Sequence, residues 1–415
     1  MKTDICIVGM GYIGLPTAAM FASKGYDVFG VDVCREVVDQ ISLGQAHICE
    51  PGLAELVKGA VLEKKLRVGF VPVPARNYII AVPTPFKTLH GNSRLPDLGF
   101  VESASRAIAP YVGGGDLVVL ESTSPVGTTE KIRNWIIEEK SKCLMETSCI
   151  DSVYFAHCPE RVLPGQMMRE LVVNDRIIGG LTEDAAIKAK KLYSVFCHGN
   201  IFVTTARTAE MVKLTENSFR DVNIAFANEL SMICDQLELD VWEVISLANR
   251  HPRVKILQPG PGVGGHCIAV DPWFIVDSSP ELARLIRVAR EVNEFKPSYV
   301  FDIIKKQAEK LESPTITVLG LAFKADVDDL RESPALEIVK WMVGEHKYKI
   351  NIVEPYISNL PKDLASIASV RLMDAETAIN ESEMVVLLVN HRQFTNITKN
   401  RLIGKIVVDT RGVLR

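Results

Sequence analysis

The 415-residue sequence predicts an α/β protein with two doubly wound parallel-sheet domains joined by a central helical domain. Three observations carry this. From Asp4 to about residue 205, short Val/Ile-rich runs alternate with longer helix-period segments, the pattern of a parallel sheet covered on both faces. After Thr205 the apolar recurrence changes to every three to five residues. At Glu312-Ser313-Pro314 that pattern stops and a second strand-and-helix series opens. The boundaries drawn are 1–205, 206–312 and 313–415.

In the first domain the strand-like runs are Asp4–Gly9, Asp27–Val33, Asn77–Val82, Asp116–Glu121, Val153–His157 and Ile201–Thr204, each bounded by Gly, Pro or a polar cluster. Next, Met211, Leu214, Phe219, Val222, Phe226, Leu230, Ile233 and Leu237 describe one amphipathic helix of about 40 Å, long enough for a spine between domains or subunits. Further helices are predicted over Val241–Ala248 and from near Glu281 towards Leu311. The last domain holds strand-like Thr315–Gly320, Lys349–Val353, Met384–Val389 and Lys405–Val408.

Composition narrows the function. Lys plus Arg number 47 and Asp plus Glu 51, for a formal charge of −4, which argues against a nucleic-acid surface or a polybasic membrane patch. At 47% hydrophobic and 24% charged, the chain is too apolar for intrinsic disorder. No apolar run approaches the ~18 residues of a membrane span, and no cleavable apolar segment follows Met1-Lys2-Thr3, so a cytoplasmic protein is expected. Nine scattered cysteines, never two residues apart, argue against a disulfide framework or structural zinc, and no metal site is expected.

The glycine pattern Gly9-Met10-Gly11-Tyr12-Ile13-Gly14 lies between an apolar strand and the helix-like Leu15–Ser23. Gly9 allows the turn, Gly11 leaves room for a pyrophosphate and Gly14 lets strand and helix approach closely, so phosphates meet a helix N-terminus. Asp32, 18 residues beyond Gly14, suits a ribose 2′-OH and favours NAD over NADP, a preference that nearby Arg35 leaves open. A Rossmann-like dinucleotide domain follows. Val82-Pro83-Thr84-Pro85 and Glu121-Ser122-Thr123 end strands, where an open parallel sheet forms its crevice, although such residues also simply make turns.

Cys158-Pro159-Glu160-Arg161 closes another strand with a thiol and a carboxylate, and Glu160 has the alternative of capping a helix or pairing with Arg161. Lys213 and Asn217 share a helix face, which is ordinarily a solvated one. Gly260, Gly262, Gly264 and Gly265 give a backbone able to approach a substrate closely, and they deliver Cys267 and then Asp271. Cys267 is therefore the leading nucleophile, Cys158 the second, and a dyad of Cys267 with adjacent His266 is disfavoured because neighbouring side chains diverge. Lys324, Arg331 and Arg411, near strand ends of the last domain, are placed for a second anionic ligand or for solvent.

With these stretches in view, the chain resembles the nucleotide-sugar 6-dehydrogenases, the family of UDP-glucose and GDP-mannose dehydrogenases. The most specific marks are Glu121-Ser122-Thr123, Pro159-Glu160, Lys213-Leu214-Thr215-Glu216-Asn217, Gly264-Gly265-His266-Cys267 and Phe323-Lys324. The resemblance implies an NAD domain, a central dimerisation domain and a C-terminal UDP-sugar domain in a homodimer. It also implies four-electron oxidation of a sugar C6 alcohol to a carboxylate through a Cys267 thioester, in surface-polysaccharide biosynthesis.

By the same resemblance Lys213 and Asn217 stabilise oxyanions, and Asp271, Thr123 and Glu160 handle water and protons. Tyr12, Ile13, Pro83, Thr84, Thr123 and Arg331 join the glycines, Asp32 and Arg35 around the cofactor. Glu160, Arg161, Val162, Lys213, Asn217, Arg220, His251, Arg253, Gly264, Lys324 and Arg411 surround the substrate, Arg253 across the dimer. Two departures from UDP-glucose members, His266 for a small residue and Arg161-Val162 for Phe-Leu, are consistent with an N-acetylated sugar. A two-electron hydroxyacid-type dehydrogenase, which needs no Cys267, and a non-catalytic NAD-binding protein are the alternatives.

Overall fold

The computed structural model describes residues 2–88, 94–143, 148–163, 165–265 and 267–414. It forms two compact units, Met1–Glu216 with Trp273–Ser278, and Asn217–Pro272 with Ser279–Arg415.

The strands of the first unit are β1 (Thr3–Val8), β2 (Val28–Val31), β3 (Leu66–Gly69), β4 (Ala75–Ile80), the hairpin β5 (Phe86–Thr88) and β6 (Arg94–Pro96), β7 (Leu117–Leu120), β8 (Tyr154–His157), β9 (Arg176–Gly180) and β10 (Ile201–Thr205). Eight of them make one sheet in the order β10-β9-β8-β7-β4-β1-β2-β3. The chain leaves β1 towards β2 and β3, then returns to its other side as β4, so the switch point lies between β1 and β4.

Residues alternate between two apolar cores along these strands. Ile5, Ile7, Ile79, Leu117 and Val119 enter one, while Cys6, Val8, Tyr78, Ile80, Val118 and Leu120 enter the other. Burial on both faces explains why the strands read as continuous apolar runs. One feature departs from the sequence expectation of a parallel sheet: β9 pairs antiparallel with β8, and β10 parallel with β9, so the last two strands are reversed.

The second unit carries β11 (Thr315–Leu319), β12 (Lys349–Val353), β13 (Val370–Leu372), β14 (Met384–Leu387) and β15 (Ile406–Asp409) in a wholly parallel sheet ordered β13-β12-β11-β14-β15. It is again buried on both faces, with Ile316 and Val318 in one core and Leu319 and Leu387 in the other.

The spine helix runs Ala206–Gln236, about 46 Å for its 31 residues, starting in the first unit and ending in the second. Leu214 is buried, while Met211, Phe219, Phe226, Ile233 and, just past the helix end, Leu237 are exposed, Phe219 by 70%. Within the second unit the buried side carries Asp221, Ala225 and Asn228, and it meets Arg290 and Asn293 of the helix Arg284–Ala308. Asp221 Oδ1 accepts from Arg290 Nη1 (2.6 Å) and Asn293 Nδ2 (2.8 Å), and Asn293 Oδ1 accepts from Asn228 Nδ2 (2.9 Å). Helix period locates an amphipathic helix without saying which face packs inward; here hydrogen bonds satisfy the buried polar seam.

Candidate active site

In the first unit the glycine motif forms the turn between β1 and the helix Gly14–Ser23. Gly9 has φ +95°, and a Cβ there would strike the Ala81 carbonyl; one on Gly14 would strike the Gly9 carbonyl. A Cβ on Gly11 would meet nothing within 4 Å, so this glycine leaves open space in front of the turn. Asp32 follows β2 and accepts from Met10 N (2.9 Å) and Cys34 N (2.9 Å), which fixes its carboxylate beside the glycine turn. These features fit a dinucleotide: clearance at Gly11 for a pyrophosphate and a carboxylate aligned by backbone donors. Tyr12 and Arg35 are exposed, and Ile13 is half-buried.

The two strand-end turns after β4 and β7 are bonded to each other. Ser122 Oγ donates to the Val82 carbonyl (2.6 Å) and Thr84 Oγ1 to the Thr123 carbonyl (2.6 Å), while Pro83 is exposed. Their Ser and Thr residues therefore do more than turn the chain: they hold Thr84 and Thr123 side by side beyond the strand ends.

Beneath these turns lies a buried ionisable cluster. Glu160 Oε1 accepts from Arg161 N (2.8 Å) and its Oε2 from Arg176 Nη2 (2.9 Å). Arg176, 3% exposed, also approaches Cys158 Sγ at 3.6 Å and lies over the rings of Tyr193 (5.0 Å) and Phe196 (5.4 Å). Tyr193 donates to Glu121 Oε1 at 2.7 Å. Burial pushes the Cys158 thiol up to about 12. This removes Cys158 as a nucleophile, since the thiolate is the reactive form and this sulfur is sealed from solvent.

Lys213 is half-buried on the spine helix, and burial, with the Lys213 charge adding, lowers His157 to about 3 and keeps it neutral. Arg161 pairs with Glu216 through Nη2–Oε1 at 2.7 Å and Nε–Oε2 at 3.1 Å, and it donates to the Asp175 carbonyl, so its guanidinium is already tied to the spine helix. Val162 is half-buried beside it.

In the second unit Asn217 Nδ2 donates to Asp271 Oδ2 at 2.5 Å. Asp271, 2% exposed, opens the helix Asp271–Ser278, and the Cys267 carbonyl accepts from Val270 N (3.1 Å) and Asp271 N (2.9 Å). The loop thus turns straight into a helix, and the Cys267 side is exposed at that turn. His266 lies outside the described residues.

The protein itself crowds the glycines before Cys267. A Cβ on Gly260 would strike the Arg411 guanidinium, one on Gly264 the Glu332 carbonyl, and one on Gly265 (φ +84°) would come within 2.8 Å of the Phe323 ring. The loop backbone closely approaches the C-terminal sheet domain of the same unit at these positions. Asn228 Oδ1 anchors the start of the loop by accepting from Gly260 N at 2.9 Å.

Arg411 donates through Nε to the Leu388 carbonyl (3.2 Å), and Lys324 is half-buried beyond β11. Arg331 is exposed, with Nε and Nη2 on Asp329 at 2.8 and 2.6 Å. Arg220, His251 and Arg253 are exposed. Reading the sequence missed Arg176, Tyr193, Asn228 and Asn293. The available signal was a charge heading an apolar run, in Arg176-Ile177-Ile178, and an Asn on the seam between helices.

Comparison with known proteins assigns these features to a class. Profiles of the UDP-glucose/GDP-mannose dehydrogenase family match residues 3–197 (NAD binding domain), 207–295 (central domain) and 317–415 (UDP binding domain). The chain belongs to this family of NAD-dependent nucleotide-sugar dehydrogenases, and its first domain binds NAD. It is 55% identical over 411 residues to an NDP-N-acetyl-D-galactosaminuronic acid dehydrogenase of Ralstonia nicotianae, covering 99% of this chain and 96% of that one. It is 53% identical over 402 residues to a UDP-N-acetyl-D-mannosamine dehydrogenase of Campylobacter jejuni, covering 96% and 98%. A solved UDP-N-acetyl-mannosamine dehydrogenase from Staphylococcus aureus superposes with a TM-score of 0.87 at 40% identity, covering 100% and 95%.

Proposed function

We propose that the protein oxidises UDP-N-acetyl-D-mannosamine at C6 to the uronic acid through a Cys267 thioester, as a cytoplasmic enzyme of surface-polysaccharide biosynthesis. The observation that carries the reading is the Cys267 turn: an exposed cysteine at the end of an anchored loop, four residues before an Asp271 bonded to Asn217. The glycine turn and Asp32 would hold NAD, which when bound would supply the hydride acceptor, one molecule for each of the two oxidations. An aldehyde yields a second hydride only once something has added to its carbonyl, and thiolate is the most nucleophilic side chain near neutral pH. The Cys267 sulfur bonds to the aldehyde carbon, and loss of the second hydride leaves a thioester. Water then attacks that carbonyl, the C–S bond breaks, and the acid leaves with the thiolate restored.

In this reading Lys213 and Asn217 face the developing oxyanions, where fixed donors in a closed site contribute several kcal/mol. Asp271, Thr123 and Glu160 order water and take its proton. Lys324 and Arg411 hold the sugar nucleotide; Gly9, Gly11, Gly14 and Asp32 hold the cofactor, with Arg331 near its pyrophosphate. A three-part division at 205 and 312 follows the same assignment.

The exposed row of Phe219, Phe226 and Ile233 supports a homodimer through the spine helix, with Arg253 reaching the partner's site. The sugar rests on the Campylobacter relative and the solved neighbour. The Ralstonia relatives favour an N-acetylgalactosamine nucleotide instead, and UDP-N-acetylglucosamine differs from the first choice only at C2. End-point NADH yields with each UDP-sugar separate these: two NADH per UDP-N-acetyl-D-mannosamine and none from the others is the expected result, and two from another sugar alone would replace the substrate.

A further inference from the structure

The buried cluster below the strand ends places two carboxyls, Glu121 and Glu160, around a single guanidinium, Arg176. The groups facing them are Cys158 just after β8, the Arg161 N–H on Glu160, Tyr193 and Phe196 in and just beyond the helix Glu183–Tyr193, and Thr17 on the helix after the glycine turn. Of the two carboxyls, Glu160 is the one bonded to Arg176 directly. Glu121 Oε1 takes the Tyr193 hydroxyl and lies 3.5 Å from Thr17 Oγ1, and its Oε2 has no hydrogen-bond partner among the described residues. In a closed pocket one cation stabilises one anion, so the second carboxyl is driven to hold its proton.

We infer that Arg176 is a positioning residue for thioester hydrolysis: clamped by Tyr193 and Phe196, it holds the Glu160 carboxyl correctly turned through its Nη2 bond, while Glu121 is bonded elsewhere, to Tyr193. This rests on the thioester reading above. Burial, with the Glu160 charge adding, raises Glu121 to about 8, which agrees with the division of charge drawn from geometry. Above that pH a second negative charge arises next to the Glu160–Arg176 pair and competes for the same guanidinium. Arg176 acts only through Glu160, so it should leave thioester formation largely alone and govern its breakdown.

The test is rapid-quench mass spectrometry of the full chain with UDP-N-acetyl-D-mannosamine and NAD, scoring the covalent adduct on Cys267, together with the pH profile of acid release. Arg176→Gln is expected to form the adduct within threefold of the normal rate, to release acid at least tenfold more slowly and so to accumulate adduct, with Arg176→Lys recovering part of the loss. Glu121→Gln, which retains an acceptor for Tyr193, is expected to abolish the fall in acid release above about pH 8. A folded Arg176→Gln enzyme that releases acid at the normal rate without accumulation overturns the inference. If that variant fails to fold, an unchanged alkaline fall in Glu121→Gln overturns it instead. Two NADH per sugar from Cys267→Ser is a different failure, since it removes the thioester whatever Arg176 does.

Discussion

Replacing Asn228 with Ala tests whether the polar seam of the spine helix anchors the cysteine loop. Asn228 is fully buried, and its amide uses both ends: Oδ1 accepts from Gly260 N at 2.9 Å and Nδ2 donates to Asn293 Oδ1 at 2.9 Å. Alanine leaves a backbone N–H and an amide oxygen buried without partners. Each costs roughly 1–3 kcal/mol, partly relieved if water enters, so a loss of about 2–5 kcal/mol is expected. Urea denaturation monitored by tryptophan fluorescence reads the change, and a double cycle with Asn293→Ala reads the coupling; because both partners lie in one network, the two losses should be non-additive. Since the loop freed at Gly260 leads on to Cys267, turnover should fall with stability. A loss below about 0.5 kcal/mol, or strict additivity with Asn293→Ala, would refute the anchoring role.

Other consequences are open to direct measurement. If the proposed homodimer forms through the exposed apolar row, Phe226→Glu, which places a charge there, should leave a monomer by light scattering, with the circular dichroism spectrum unchanged. Gly265→Ala sets a Cβ against Phe323 at φ +84° and should cost roughly 1–3 kcal/mol of stability and most of the activity; activity at the normal level would contradict the loop packing. Folded Glu121 keeps its proton up to about pH 8, whereas the unfolded carboxyl releases it near its ordinary value of 4.5. The folded state therefore binds more protons between those limits, and stability should decline as pH rises through that window, at up to about 1.4 kcal/mol per pH unit. Glu121→Gln should flatten that slope.

What the sequence made legible follows from how each element is buried. Strands packed on both faces, such as β1 and β4, stand out as apolar runs, and the spine helix stands out by period and length. β9 escaped notice because Arg176 opens it and Gly179-Gly180 closes it, giving it the look of a loop. Which face of the spine packs inward was not legible, because its buried seam consists of paired polar groups while its apolar row is left outside. Cys267, Asp271 and Asn217 were each visible, but only the fold shows that the latter two are bonded. The glycines flagged the loop, but not that Phe323, Glu332 and Arg411, some sixty or more residues away in the chain, crowd them.

The most direct measurement of the central claim is NADH yield at completion with limiting UDP-N-acetyl-D-mannosamine, for the protein and for Cys267→Ser. The account predicts two NADH per sugar from the unaltered chain, and from the serine variant at most a single oxidation with no acid formed. One NADH per sugar from the unaltered chain, or two from Cys267→Ser, would contradict it.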